Sequence, residues 1–133
     1  RGAQAAMREA LAAAGLATAG IGYVNAHGTA TLANDRAEAA ATRAVFGPHG
    51  VPVSSTKGVT GHTLGAAGVT EAIIAIQALE HQVLPPSANL HSAEADLQLD
   101  VITTSRRATF SHAMSNSFGF GGSNCSLIFE RVN

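Results

Sequence analysis

The chain has 133 residues, about the size of one ordinary domain, which gives room for a single modest hydrophobic core. Charged residues make up only 13% of the sequence and the formal net charge is -1, which argues against attraction to nucleic acid or to anionic membranes. The one cysteine, Cys125, excludes an intrachain disulfide and a four-cysteine zinc site, and the longest apolar runs are too short to span a membrane.

The first part of the chain is predicted to alternate helices and strands. Apolar residues at helical spacing predict a helix over Gly2–Ala14, with a glycine directly after it as a stop signal. A short apolar run predicts a buried strand over Ile21–Ala26. The next helix is expected to be capped by Asn34 or Asp35 and to end at Phe46, where a Gly-Pro pair follows.

The remaining elements complete a mixed sheet. A second strand is predicted over Val51–Thr56, and a helix over Leu64–His81 is apolar around nearly its whole circumference, which predicts burial. Leu97–Thr103 is a weaker strand candidate, whereas His112–Ser117 and Ser126–Val132 flank a glycine-rich turn and are expected to pair as a hairpin. The fold class is therefore α/β, a single unit with a mixed five-stranded sheet and helices on both faces.

Two histidines lie in glycine- and threonine-rich turns that follow predicted strands. His27 belongs to the segment Asn25–Thr31, and His62 ends the segment Ser54–His62. Because the carboxyl ends of parallel strands meet at one sheet edge, we expect both histidines and Lys57 to converge on one pocket. A lone histidine is more often structural than functional, but the neighbouring glycines and threonines allow close approach and hydrogen bonding of a polar ligand.

Three further features of the sequence bear on this pocket, namely an acid on the apolar helix, the start of that helix, and the spacing that a metal or nucleotide site would need. Glu71 lies on an otherwise apolar helix and needs a partner, which Lys57 supplies. The helix start after His62 disfavours an imidazolium, so a neutral ring is expected there. A zinc site is not favoured because the histidines lack a local ligand spacing, and Gly58–Gly68 is not a nucleotide loop because its lysine precedes the glycines.

A third glycine-rich segment, Ser115–Asn124, completes a pattern that resembles the C-terminal half of a β-ketoacyl-(acyl carrier protein) synthase. The resemblance extends from about Ile21 to Val132. It implies a thiolase-like fold of two related halves, of which the N-terminal half and its nucleophilic cysteine are absent from this sequence. His62 stands where ketoacyl synthase III and chalcone synthase types have asparagine, so the chain is similar to the two-histidine class of ketoacyl synthases I and II and polyketide ketosynthases.

The resemblance implies roles for individual residues. His27 and His62 are expected to donate hydrogen bonds to the oxygen of the reacting thioester, with Lys57 nearly buried and paired with Glu71. The residues implied in binding the substrate and its phosphopantetheine arm are Thr29, Thr31, Phe118, Gly119, Phe120 and Gly121, with Phe120 as the moving side chain of a gate. No metal-binding residue is implied.

The last strand candidate raises the question of a second nucleophile. Cys125 alternates there with Leu127 and Phe129, and is therefore expected to be a small, buried core residue, not the reactive thiol. With a buried, inert thiol and no N-terminal half, the chain alone is expected to be inactive. The apolar helix over Leu64–His81 is expected to make the isolated chain self-associate.

The activity implied by the resemblance is a decarboxylative Claisen condensation, in which an acyl thioester is lengthened with malonyl-carrier protein in fatty-acid or polyketide synthesis. No cofactor is expected beyond the phosphopantetheine arm of the acyl carrier protein. The expected partners are that carrier, the missing N-terminal half and a second copy of the intact enzyme, with no nucleic acid or membrane. The start of the sequence lacks signal-peptide regions, which favours a cytoplasmic location, and lacks methionine, which agrees with a fragment. The alternative is a non-catalytic ketosynthase partner of the chain-length-factor type.

Overall fold

The computed structural model describes residues 1–132, and Asn133, the last residue of the predicted unit, lies outside them. The strands in chain order are β1 (Ile21–Asn25), β2 (Pro52–Ser54), β3 (Val83–Leu84), β4 (Asp100–Val101), β5 (Arg106–Arg107), β6 (His112–Phe118) and β7 (Asn124–Glu130). The helices are α1 (Gly2–Ala14), α2 (Leu32–Phe46), α3 (Lys57–Thr60) and α4 (Ala67–His81). No helix within residues 1–132 combines the length and the apolar character needed to cross a membrane.

The described residues form a five-stranded mixed sheet in the order β4-β2-β1-β6-β7, and a separate small ribbon of β3 and β5. Strand β1 lies between two parallel neighbours, with Val24 opposite Val53 of β2 and Met114 of β6. Strand β7 returns antiparallel to β6, with Leu127 opposite Ser115. The carboxyl ends of β1, β2 and β6 therefore meet at one edge of the sheet, where the two histidine turns begin.

Helices cover the sheet on both faces, as predicted for an α/β fold. Helices α1 and α2 pack on one face through a cluster of buried apolar side chains, namely Met7, Leu11, Ile21, Val24, Ala26, Ala41, Val51, Val53 and Met114. Helix α4 packs on the other face through a second cluster, formed by Tyr23, Ala75, Ala78, Leu79, Leu84, Ile102, Phe110 and Ala113. The sheet is thus the middle of three layers, and the histidine edge lies where the layers end.

The start of α2 differs from the prediction. The cap is Thr31, not Asn34 or Asp35: the Thr31 backbone is extended and its hydroxyl accepts a hydrogen bond from the Asn34 amide N–H at 3.3 Å. Asp35 lies instead in the first turn of α2, where its charge complements the positive end of the helix dipole. Asn34 is free to turn its side chain toward a buried glutamate, Glu38.

Several element limits are also corrected by the structure. The helix predicted over Leu64–His81 begins as a 3-10 turn and becomes α4 only at Ala67, because Leu64 adopts a left-handed φ of 51°. The strand predicted over Val51–Thr56 is confined to β2, since the chain winds into α3 directly afterwards. Of Leu97–Thr103, only β4 is extended, and the last strand lies two residues earlier than predicted.

Helix α4 is buried on one side only. Ala75 and Leu79 face the sheet, whereas Val69 and Ile73 are 61% and 55% exposed. Cys125 is exposed, so its predicted burial is wrong. The alternation along β7 was correctly interpreted, but α4 packs chiefly on β6 and leaves this part of β7 uncovered, with Leu127 46% exposed.

Candidate active site

The structure brings the two histidines of the glycine-rich turns together. The ring centroids of His27 and His62 lie 5.5 Å apart with their planes at 85°. Phe118, the last residue of β6, places its ring centroid 6.0 Å from that of His27. His27 follows β1 directly and His62 lies between α3 and α4, so residues 35 positions apart in sequence share one edge of the sheet.

A buried ion pair lies behind the two imidazoles. The Lys57 ammonium, at the start of α3, binds the carboxylate of Glu71 on α4, and the two side chains are only 6% and 3% exposed. The same ammonium donates a hydrogen bond to the backbone carbonyl of His27 at 2.5 Å. Lys57 therefore connects the His27 turn to helix α4, as well as neutralising the carboxylate.

The surroundings of His27 keep its ring neutral. Burial is the main cause that lowers its pKa from 6.5 to about 4, and the charges of Lys57 and His62 act in the same direction. Its Nδ1 atom is buried and makes no hydrogen bond within residues 1–132. At neutral pH His27 is therefore an uncharged imidazole that carries one proton and has one unprotonated nitrogen.

His62 is held in a defined tautomer by a short-range contact. Its Nδ1 accepts a hydrogen bond from the backbone N–H of Leu64 at 3.1 Å, so the ring proton of the neutral form resides on Nε2. The backbone of Thr63, with a φ of -82° and a ψ of 16°, directs that N–H back toward the ring. Helix α4 begins only at Ala67, so the positive end of its dipole lies further from His62 than the sequence predicts.

One charged residue of the site was missed by sequence analysis. Glu38, buried on α2, accepts hydrogen bonds from the backbone N–H groups of His27 at 2.8 Å and Gly28 at 2.9 Å. The Asn34 side chain donates a third hydrogen bond at 3.3 Å. Burial raises the pKa of Glu38, although these donors and Lys57 oppose that shift. The available signal was an acidic residue beside Ala39, Ala41 and Thr42, on the face that α2 buries.

Gly28 permits the close approach of the two turns. Its φ is +46°, and a Cβ at this position would lie 2.3 Å from the Cβ of Ser55. The Ser55 hydroxyl in turn donates a hydrogen bond to the Gly28 carbonyl at 3.1 Å. A side chain here would both strain the backbone and separate the turn that carries His27 from the turn that leads to Lys57.

The residues expected to contact the substrate differ in their exposure and in their distance from the histidines. The hydroxyls of Thr29 and Thr31 lie 3.2 Å apart, and Thr31 is exposed while it caps α2. Phe118 borders His27, but Phe120 is 107% exposed. The segment between β6 and β7 is closed by a hydrogen bond from the Gly119 N–H to the Ser123 carbonyl, and Gly121 has a φ of 80°.

The geometry suits stabilisation of a negatively charged oxygen. Two imidazoles lie next to each other, one held neutral by burial and by Lys57, the other with its Nε2–H fixed as a donor. Fixed donors of this kind stabilise charge that develops on an oxygen in a transition state. Within residues 1–132, no group of three or more His, Cys, Asp or Glu side chains is placed to hold a metal ion.

Comparisons with known proteins identify the family of the chain. The family model "Beta-ketoacyl synthase, C-terminal domain" matches residues 1–91. A 3-oxoacyl-[acyl-carrier-protein] synthase 2 of Vibrio harveyi is 46% identical over 131 residues, covering 96% of this chain and 32% of the relative. The chain therefore spans about a third of the length of the curated relatives that it matches.

Solved structures confirm the expected thiolase-like α/β fold. The chain superposes on a β-ketoacyl synthase from Burkholderia phymatum STM815 with a TM-score of 0.93 and 43% identity, covering 98% of this chain and 32% of that one. It superposes on the ishigamide ketosynthase/chain length factor with a TM-score of 0.94 and 34% identity, covering 98% and 33%. The same α/β arrangement therefore recurs as one part of these longer chains.

Proposed function

Because the chain belongs to the β-ketoacyl synthase family, whose C-terminal domain it matches, we propose that it supplies the histidine side of the active site of a condensing acyltransferase. The observation that carries the proposal is the pair of neighbouring imidazoles backed by the buried Lys57–Glu71 pair. Its relatives are 3-oxoacyl-[acyl-carrier-protein] synthases, and their names indicate the substrate class, an acyl thioester on a carrier protein.

The proposed reaction is a decarboxylative condensation. The bond between the malonyl carboxylate and its α-carbon breaks, carbon dioxide leaves, and the electron pair becomes an enolate whose oxygen accepts hydrogen bonds from His27 and His62. The enolate carbon then attacks an acyl thioester on a cysteine outside this chain, forming the new carbon–carbon bond and expelling the thiolate. With a pKa of about 4, His27 stays neutral. Its N–H donates a hydrogen bond to the enolate oxygen, and its ring takes up no proton.

The other site residues act through these two histidines or on the substrate. Lys57 holds the His27 carbonyl and lowers the pKa of the ring, Glu71 holds Lys57, and Glu38 holds the amides beside His27. In this proposal, Thr29 and Thr31 bind the phosphopantetheine arm. Phe118, with the turn of Gly119, Phe120 and Gly121, borders the acyl chain, and the exposed Phe120 moves as its gate.

The proposed enzyme requires partners beyond this chain. The reaction takes place in the cytoplasm with acyl carrier protein, without a metal or other cofactor, in an enzyme that pairs this chain with an N-terminal half and forms a homodimer. The chain alone is inactive because the nucleophilic cysteine belongs to that half. The exposure of Cys125 removes burial as a reason for its inertness, so mass spectrometry after incubation with acyl-carrier protein is required to exclude a thioester there.

The test is condensation by the full-length protein. Replacing either site histidine, as His27→Ala or His62→Ala, should lower condensation by about 10²–10³-fold, the usual loss for one oxyanion donor. Transfer of the acyl group to the cysteine should continue, because that step does not use the enolate site. His81→Ala, at the exposed end of α4, is the matched control and should leave the rate unchanged. Full condensation by both site variants would refute the assignment.

A second candidate follows from the similarity to the ishigamide ketosynthase/chain length factor. A non-catalytic partner of that type would shape the cavity of a separate ketosynthase. The two imidazoles and the Lys57–Glu71 pair favour the catalytic role, since a non-catalytic partner does not require these groups. The same assay discriminates, because the full-length protein would then condense nothing without an added ketosynthase.

A further inference from the structure

A cavity of about 490 Å³ lies behind the turn of His27, between α2 and the segment that follows β3. Its volume is within the range of roughly 300–1,000 Å³ that is typical of pockets for small molecules. His27, His62 and Phe118 are not among its lining residues, whereas Gly28 and Glu38 are. The cavity is therefore separate from the imidazole side of the site, but it shares a wall with the groups that hold His27.

The roof of the cavity is fixed at both ends. We define the strap as residues 87–99, which cross from the end of β3 to the start of β4. Near its beginning the Asn89 side chain donates a hydrogen bond to the Gly58 carbonyl at 3.0 Å. Near its end the Arg43 guanidinium donates to the Leu97 carbonyl at 2.7 Å. These attachments hold the strap over α2 with an open volume beneath it.

The surface of the cavity is mostly apolar. Its floor includes Ala39 of α2 and Val53 of β2, and the strap contributes Leu90, Leu97 and Leu99. Such walls favour a hydrocarbon body in the ligand, because transfer of apolar surface out of water stabilises the complex.

The charged groups of the lining are mostly acidic. Asp35 and Glu94 supply two carboxylates against the guanidinium of Arg36, whereas the carboxylate of Glu38 is already occupied by the amides of His27 and Gly28. No ion pair found among residues 1–132 involves Asp35 or Glu94. The excess of carboxylates favours a cation and disfavours an anion.

From this combination we propose that the cavity binds a small molecule with an apolar body and one cationic amino group. The ammonium lies toward Asp35 and Glu94, and the hydrocarbon part lies against Ala39 beneath the strap. A ligand there contacts the wall that contains Glu38, so it stabilises the hydrogen bonds from Glu38 to the amides of His27 and Gly28. The inference does not depend on the proposed condensing activity, because binding alone tests it.

The experiment uses the full-length protein and three probes of one length, hexylamine, hexanol and hexanoate, with calorimetry as the readout. Hexylamine should bind at least about tenfold more tightly than hexanoate. Glu94→Gln should weaken hexylamine by about threefold or more and leave hexanol unchanged. Hydrogen exchange of the His27 and Gly28 amides should slow when hexylamine is bound.

Two variants of α2 locate the binding. Ala39→Leu adds a side chain inside the cavity and should abolish hexylamine binding, whereas Ala40→Leu, on the exposed face of the same helix, should not change it. Equal affinity for hexylamine and hexanoate, no binding of hexylamine, or binding that persists in a folded Ala39→Leu variant would each overturn the proposal. If Ala39→Leu does not fold, the Glu94→Gln comparison and the exchange of the two amides decide alone.

Discussion

Removing the carboxylate from the buried ion pair should have a large effect on stability. In Glu71→Gln, Lys57 keeps its charge while its side chain remains 6% exposed, and it loses the carboxylate that neutralises it. The His27 carbonyl remains as an uncharged acceptor. Breaking a buried pair from one side costs about 3–5 kcal/mol, because an uncompensated charge stays buried. The glutamine carbonyl can still accept a hydrogen bond, so we expect the lower end, about 3 kcal/mol.

Urea unfolding of the full-length protein measures this loss. Glu80→Gln is the matched control, since Glu80 is exposed on the same helix and its substitution should stay within about 0.5 kcal/mol. Removing both charges, as in Lys57→Met with Glu71→Leu, should restore stability to within about 1 kcal/mol of the parent. Condensation should stay low in this double variant, because the hydrogen bond to the His27 carbonyl is lost.

Two results would refute this reasoning. If Glu71→Gln costs less than about 1 kcal/mol, Lys57 is solvated or deprotonated in the variant, and burial of its charge does not determine the cost. If the double variant is as unstable as the single one, the loss comes from packing and not from an unpaired charge.

Three further results are expected. Gly28→Ala should lower the free energy of unfolding in urea by more than about 1 kcal/mol and should slow condensation. Adding Ser55→Gly should recover part of that free energy, because the contact with the new Cβ is removed while the positive φ remains. Glu38→Ala should lower stability by about 1–3 kcal/mol and speed hydrogen exchange of the His27 and Gly28 amides, which lose their buried acceptor. The folded-state pKa of His27 is about 4 against an ordinary 6.5, so His27 binds more protons in the unfolded chain between these values. The stability that His27 contributes should therefore fall as the pH is lowered from 6.5 to 4 and stay level above 6.5. The raised pKa of Glu38 acts in the opposite direction, so the effect is measured as the difference between the parent and His27→Gln. His27→Gln should remove this pH dependence, and an NMR titration midpoint of His27 near 6.5 would contradict the assigned burial.

The position of the two histidines was predictable because it depends on local patterns and one general property of parallel sheets. A strand followed by a glycine-rich turn identifies each histidine in the sequence, and the common edge of parallel strands brings the turns together. The pairing of Lys57 with Glu71 was also predictable, because a carboxylate on an apolar helix requires a partner.

Features that depend on how the helices lie on the sheet were not predictable in the same way. Glu38 reaches the amides of His27 and Gly28 only because α2 folds back over the end of β1. Thr31 became the cap because Gly28 and Ala30 adopt left-handed φ values and Thr31 itself is extended, so helical geometry begins only after Thr31. The predicted burial of Cys125 is wrong because alternation along a strand shows which side chains share a face. It does not show whether a helix covers that face.

The candidate site is held together by hydrogen bonds between side chains and the main chain of its turns. Glu38 holds two backbone amides, Lys57 holds the His27 carbonyl, Ser55 holds the Gly28 carbonyl, and the Leu64 amide holds His62. For protein design, this means that transplanting the two imidazoles onto another scaffold as side chains alone would not reproduce them. A working graft would need the backbone path of both turns, together with the segments of α2 and α4 that supply the acids.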